Sequence, residues 1–265
     1  MKKTLSALIT AILCVSGLAA LQLPRLRSHL ANTELNAQTI QAEEALQQER
    51  LQLWKTMPVF GFDNLVADWA FLNFLQYFGH AEARELTGYT VSPDLFSTMI
   101  QRDPYFRQVY QFLSSSVTLF AGQPAETVAL VEKGLSHMTP TFPEDSFWLW
   151  RYKAVDELLF LGEVEAAIAS LDKSAEWADQ SPMEDANLYV ASAQRLATFL
   201  RENPNSRQGR VNAWFLVWNN GINQQVRQYA QSQIEALGYR MIEDENGIRL
   251  EDINPDTDNA VEGEP

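Results

Sequence analysis

The chain has 265 residues, of which 46% are hydrophobic, so there is enough apolar material for a continuous core, and disorder along the whole chain is excluded. Its formal net charge is −14, because 20 lysines and arginines face 34 aspartates and glutamates. This balance excludes nucleic acid as the expected ligand and disfavours adhesion to an anionic lipid surface, since both need clustered lysine and arginine.

Residues 1–27 resemble an export or anchoring signal in composition. Lys2 and Lys3 precede an uncharged, apolar run from Leu5 to Leu23. Its length falls between that of a cleaved signal peptide and that of a spanning helix, which needs about 20 apolar residues. We expect residues 5–23 to anchor the protein in a membrane as a single pass, with the body outside the cytoplasm. The alternative is a cleaved signal and a secreted body.

Residues 28–61 are rich in glutamine, glutamate and alanine, and the segment ends at Pro58 and Gly61. Its leucines are widely spaced and do not form sustained heptads, which disfavours a coiled coil. We therefore predict a polar helical spacer that lifts the body from the membrane.

Residues 62–238 contain a series of apolar helix candidates separated by glycine and proline. The first candidate ends at Gly79, and apolar residues cover so much of its circumference that we expect it to be packed on more than one side. A polar insertion, residues 80–91, follows. Pro93 then opens a short helix, as proline often does in the first helical turn.

Two glycines in the middle of this region, Gly122 and Gly162, each lie between two long apolar segments. Glycine is the usual residue at the end of a helix, so this pattern predicts two helix pairs joined by tight turns. A helix pair cannot bury its apolar face alone and must stack on its neighbours, which indicates a repeat architecture.

The composition changes after Gly238. In residues 239–253, Asn246-Gly247 predicts a two-residue turn between Tyr239-Arg240-Met241-Ile242 and Ile248-Arg249-Leu250, which gives a small β-hairpin. Residues 254–265 are acidic and poor in large apolar groups, so we predict a disordered tail.

Residues able to carry catalysis are scarce. The chain has three histidines, none of them paired at metal-ligand spacing, and it has neither a glycine-rich phosphate loop nor a nucleophile elbow. We therefore predict no catalytic, cofactor-binding or metal-binding residues. Asp156 and Lys153 lie three residues apart in an apolar helix, where we expect them to form a structural ion pair.

The middle of the chain resembles the tetratricopeptide repeat (TPR) family. In Phe160-Leu161-Gly162-Glu163, followed by Ala167, Leu171 and Ser174, the turn glycine and the small, large and small residues fall at the family's spacing. The equivalents after Gly122 are Thr127, Val131 and Gly134. Upstream, Asp103-Pro104-Tyr105 resembles the family's junction between repeats.

This resemblance implies an all-α fold of antiparallel helix pairs in a TPR-like superhelix, with the amino-terminal apolar helix and the hairpin added at its ends. It also implies that polar residues of the first helices line a concave wall that binds a partner. Those candidate partner-binding residues are Gln108, Gln111, Arg151, Lys153, Asn187 and Gln194.

A second resemblance concerns Pro58 to Gly79, which is similar to a segment of uncharacterised membrane-anchored repeat proteins of cyanobacteria. It implies a body in the periplasm or the thylakoid lumen.

These patterns favour a membrane-tethered, extracytoplasmic scaffold or adaptor that binds a protein segment or a membrane protein complex, for example as an assembly factor. One alternative is a structural subunit of an envelope export or cell-wall machine. Another is a helical hydrolase or lyase that uses isolated carboxylates, which would need a deep pocket that brings two acids together.

Overall fold

A computed structural model of the protein describes residues 36–204, 206–219, 224–244 and 247–253, together with five separate residues of the first 23. Within these residues, no helix is both long and apolar enough to cross a membrane. The predicted anchor, residues 5–23, lies almost wholly outside the described part of the chain, and so does the predicted tail, residues 254–265.

The described chain is mostly helical and ends in a two-stranded antiparallel sheet, as predicted. Two helices continue into a wider π-helical segment, which we label π1 and π2. The order is α1 Ala37–Thr56, α2 Asp63–Gly79, α3 Ala81–Thr87, α4 Ser92–Arg102, α5 Arg107–Leu113, π1 Ser114–Phe120, α6 Pro124–Leu135, α7 Phe147–Asp156, π2 Glu157–Leu161, α8 Val164–Gln180, α9 Ala186–Glu202, α10 Arg207–Asn219, α11 Gln224–Ala236, β1 Tyr239–Asp244 and β2 Gly247–Asp252.

The two helix pairs predicted around Gly122 and Gly162 are confirmed. Each glycine has a positive φ, 69° and 70°, which reverses the chain between a π-helical end and the next helix. The closing hydrogen bonds are equivalent as well: the amide of Gln123 donates to the Val117 carbonyl at 2.9 Å, and that of Glu163 donates to the Glu157 carbonyl at 2.8 Å. The two turns are thus the same structure, repeated forty residues apart.

The core has two large apolar clusters. The first joins α1, α2, α4, α5, π1 and α6, and its largest fully buried side chains include Phe74, Phe96 and Tyr110. The second joins α7, π2, α8, α9, α10, α11 and β1 around Trp214. From α4 onward consecutive helices pack on one another, which is how helical-repeat proteins bury their apolar faces, whereas α1 packs on α3 and α4, and α2 packs on α4.

The predicted spacer contains α1, which packs on the body. Leu51 is fully buried, and Glu44 forms a buried ion pair with Arg84 of α3 at 2.5 Å. Farther along, Lys55 forms an ion pair with Asp94 of α4 at 3.0 Å. The polar composition of this helix therefore reflects its contacts with α3 and α4, and α1 does not stand apart from the folded body.

Helix α2 departs from the expectation that it is covered on several sides. One side buries Ala67, Ala70 and Phe74. On another side Leu65, Trp69 and Leu72 are each at least half exposed, because no described residue packs over them. Residues 80–91, predicted as a polar insertion, contain the short helix α3.

The carboxyl-terminal hairpin is confirmed with its turn shifted by one residue. Asp244 pairs with Gly247, so Gly247 begins β2 and only residues 245 and 246 lie between the strands. The register places Met241 opposite Leu250, and both pack on the second core cluster. A slip of one residue in either strand would turn its apolar side chains away from the helices, which is why packing sets the register.

Candidate functional site

A cleft of about 490 Å³ lies between α7, α9 and α10, within the size range of ligand sites. We call it the arginine groove, because Arg151 and Arg195 line it. Its walls also include Ser192, Phe199, Asn212 and Phe215.

The groove follows from the helical periodicity of its walls. On α9, Ser192, Arg195 and Phe199 are three and four residues apart and share one face, while Ala193, Ala197 and Leu200 bury the opposite face. Helix α10 is built in the same way, with Asn212 and Phe215 towards the groove and its small and apolar residues towards the core. Two amphipathic helices therefore leave a polar and aromatic channel between them.

Arg151 supplies the main electrostatic feature of the groove. Its Nη1 donates a hydrogen bond to Ser192 Oγ at 3.2 Å, but its buried Nε has no hydrogen-bond partner among the residues that the structure describes. Burial lowers the pKa of the guanidinium below its ordinary value. The group nevertheless keeps its charge at neutral pH, because an arginine side chain stays protonated in proteins.

Neither groove arginine forms an ion pair with any residue that the structure describes. Arg84, Arg102, Arg107, Arg201 and Arg207, by contrast, each bind a carboxylate. None of the described residues that line the groove is acidic. Two cations without carboxylates in a chain of net charge −14 form a local site for a negatively charged ligand.

Aromatic rings complete the groove. The ring of Phe215 stacks on that of Trp218 at 5.8 Å, and the guanidinium carbon of Arg151 lies 5.7 Å from the centre of the Trp148 ring. The site can thus bind carboxylates through its arginines and apolar side chains through Phe199 and Phe215. In the described residues, no group of three histidine, cysteine or acidic side chains is arranged to hold a metal ion.

The six residues predicted to bind a partner do not lie together. Arg151 lines the groove, and Lys153 is buried in the core. The other four are exposed and lie outside the lining of the groove: Gln108, Gln111, Asn187 and Gln194. Arg195 and Asn212 were not predicted. The prediction included α9 but chose its residues Asn187 and Gln194, whereas the three- and four-residue spacing of Ser192, Arg195 and Phe199 marks the side of α9 that lines the groove.

Lys153 does not form the predicted ion pair with Asp156. Its Nζ contacts the carboxylate of Glu157, one helical turn away, and donates to Ser170 Oγ of α8 at 3.1 Å. A second carboxylate, that of Glu132, lies 3.2 Å from the same Nζ. The lysine therefore joins α6, π2 and α8 inside the core.

Asp156 is buried in a separate polar cluster between π1, α6 and the end of α7. It accepts hydrogen bonds from Ser114 at 2.5 Å and Thr118 at 2.6 Å, and the Thr118 hydroxyl in turn lies 2.9 Å from that of Thr127. Burial raises the pKa of Asp156 to about 7; the two hydroxyl donors oppose this rise, and the neighbouring Glu157 adds to it. The carboxyl thus titrates near neutral pH while it joins the two helix pairs.

A cavity of about 30 Å³ beside Asp156 has room for one water molecule. This is far smaller than the arginine groove, so the space beside Asp156 does not suit a ligand larger than water.

No family model, no curated protein and no solved structure matches this chain.

Proposed function

We propose that this protein is a membrane-tethered scaffold, with its body outside the cytoplasm, that binds an acidic segment of a protein partner in the arginine groove. The segment belongs to a membrane protein complex that the scaffold helps to assemble. The observation that carries the proposal is Arg151, a largely buried cation whose Nε has no partner and which no described carboxylate neutralises.

A peptide carboxylate is the ligand that best fits this environment. Guanidinium groups bind carboxylates through paired, charge-assisted hydrogen bonds, which are stronger than neutral ones. A carboxylate that accepts a hydrogen bond from Arg151 Nε would therefore stabilise the complex. Arg195, which is exposed on α9, would attract the same negative charge as the partner approaches. The rings of Phe199 and Phe215 suit apolar side chains of the same segment.

The helix pairs support a TPR-like superhelix as the architecture behind the groove. Their turns at Gly122 and Gly162 have the same backbone conformation and the same closing hydrogen bond. The residues at the small, large and small positions after Gly162 are all buried, as that resemblance requires: Ala167, Leu171 and Ser174. A stack of such pairs exposes a continuous concave surface for an extended segment.

Site-specific photo-crosslinking in intact cells tests this function. A photoreactive amino acid would replace Asn212 inside the groove, and as a matched control it would replace Asn187, which is exposed on α9 outside the groove. We expect a partner to crosslink from position 212 and not from position 187. Mass spectrometry of the adduct should place the crosslink in an acidic stretch.

The variant Arg151→Met should remove the crosslink at position 212, whereas Arg210→Gln should retain it, because Arg210 is exposed on α10 and does not line the groove. Crosslinking that persists in Arg151→Met, or adducts in segments without acidic residues, would contradict the proposal.

A further inference from the structure

The first two helices expose an apolar surface that the arginine groove does not use. On α2, Leu65, Trp69 and Leu72 are 50–57% exposed and lie four and three residues apart, on one side of the helix. The loop before α2 adds Phe60, which is 90% exposed, and Phe62, which is 60% exposed. We call these five side chains, with Trp54 of α1, which lines the same cleft as Phe62, Leu65 and Trp69, the α1–α2 apolar face.

A cleft of about 520 Å³ lies between α1 and α2 in this region, and the residues that line it are all apolar, among them Trp54, Val59 and Val66. The large apolar side chains exposed elsewhere are scattered along the chain, as at Phe142, Leu188 and Tyr229. Isolated exposed apolar side chains are normal on a protein surface, whereas a contiguous apolar patch marks a contact with a membrane or with another molecule.

The charges around this face do not suit an anionic surface. Helix α2 carries only Asp63 and Asp68, and the carboxylate of Asp63 is bound to Arg102 at 2.8 Å. On α1, Glu49 and Arg50 lie beside Leu46 and Leu53 and cancel each other. The face therefore has the properties of a surface that binds through apolar burial alone.

The position of the face in the chain favours a lipid bilayer as its partner. Residues 24–35 separate the apolar run ending at Leu23 from the start of the described body, and a chain of that length spans at most about 45 Å. Helix α1 has 20 residues and is about 30 Å long. A body tethered through residues 5–23 would thus hold its first two helices within reach of the bilayer surface.

We propose that the α1–α2 apolar face lies on the surface of the membrane, with Trp69, Phe60 and Phe62 inserted at the level of the headgroups. Aromatic and leucine side chains on one side of a helix are the residues that bind at this depth. The inference rests on the tether of the proposed function. It extends that function by orienting the scaffold flat against the bilayer.

The test uses the full chain reconstituted into vesicles of phosphatidylcholine. In a Cys14→Ser background, a polarity-sensitive fluorophore is attached at Leu65→Cys on the face or, as the matched control, at Leu188→Cys, which is similarly exposed on α9. We expect quenching by iodide to be about threefold weaker at position 65 than at position 188, since an inserted probe is shielded from water.

Flotation of the same vesicles separates docking from tethering. Protein that floats while its probe at position 65 is quenched as strongly as the probe at position 188 would overturn docking and leave the tether intact. Protein that does not float would overturn both. Shielding at position 65 that strengthens with the number of protein copies per vesicle would assign the face to a second copy of the chain and overturn the lipid assignment.

Discussion

The hydroxyl of Tyr110 occupies the space that a side chain at Gly134 would need. A Cβ added at position 134 would lie 2.6 Å from the Tyr110 ring carbon Cζ and closer still to the hydroxyl oxygen. The tyrosine cannot simply move away, because it is buried and donates a hydrogen bond to the Pro104 carbonyl at 2.8 Å. One glycine thus allows α5 and α6 to approach closely.

Gly134→Ala should therefore destabilise the fold by about 1–3 kcal/mol through overpacking, although alanine is the better helix former. The control is Gly79→Ala, where nothing lies within 4 Å of the added Cβ and the effect should be neutral or slightly stabilising. Urea unfolding followed by circular dichroism measures both. Equal midpoints for the two variants would show that Tyr110 adapts freely.

Asp156 should make the stability of the protein depend on pH. Its pKa is about 7 in the folded chain and close to 3.8 when unfolded, so between these values the folded state holds the extra proton. Because of this group, the free energy of unfolding should decrease as the pH rises from about 4 to about 7. Above pH 7 this group should cause no further change. Asp156→Asn should remove this slope and unfold at higher urea than the native protein at pH 8.

Unfolding curves of the native protein and Asp156→Asn at pH 5 and pH 8 provide the measurement. If the free energy of unfolding changed equally with pH in both proteins, other groups would cause the pH dependence. Asp156→Ala should cost about 2 kcal/mol at pH 5, because it leaves the hydroxyls of Ser114 and Thr118 without their acceptor.

The buried ion pair between Lys153 and Glu157 should respond differently to single and double replacement. Lys153→Met leaves a buried carboxylate without its cation and should cost about 3 kcal/mol. The double variant with Glu157→Leu should recover most of that loss, since both buried charges of the pair are then removed.

The exposed pair of Lys173 and Glu176 serves as control, and its loss should cost less than about 1 kcal/mol because water screens the charges. A double-mutant cycle from chemical unfolding gives these values. A double variant as unstable as Lys153→Met alone would show that the lysine acts through Ser170 and Glu132 instead.

Arg151 should matter for binding and not for folding. Arg151→Met removes a desolvated cation that has no described carboxylate partner, so the free energy of unfolding should stay the same or rise by about 1 kcal/mol. The affinity for the acidic segment identified by crosslinking should fall at least about tenfold, equivalent to 1.4 kcal/mol, in fluorescence anisotropy with a synthetic peptide.

Arg107→Met should behave in the opposite way. Arg107 forms an ion pair with Asp145 at 2.6 Å and donates to the carbonyl of the same residue at 2.8 Å. We expect a loss of about 1–2 kcal/mol in stability with unchanged peptide affinity. Weaker peptide binding in both variants to the same degree would remove the special role of Arg151.

Local sequence was sufficient to predict the helix pairs and the hairpin. Gly122 and Gly162 mark turns because only glycine adopts a positive φ at little cost, and the apolar spacing on either side follows the helical period. The hairpin was predicted from its turn residues, yet its turn lies one residue earlier, because Met241 and Leu250 pack on the helices and set the register.

Sequence by itself determined the two helix pairs, their glycine turns and the hairpin, since those features depend on residues within a few positions of one another. Tertiary structure decided which side chains meet. Arg151 and Arg195 are brought to one groove by the packing of α7, α9 and α10, and Lys153 reaches Glu157 and not Asp156. The exposure of Trp69 could not be predicted from the sequence either. An apolar helix has the same sequence pattern whether or not another element covers its second side.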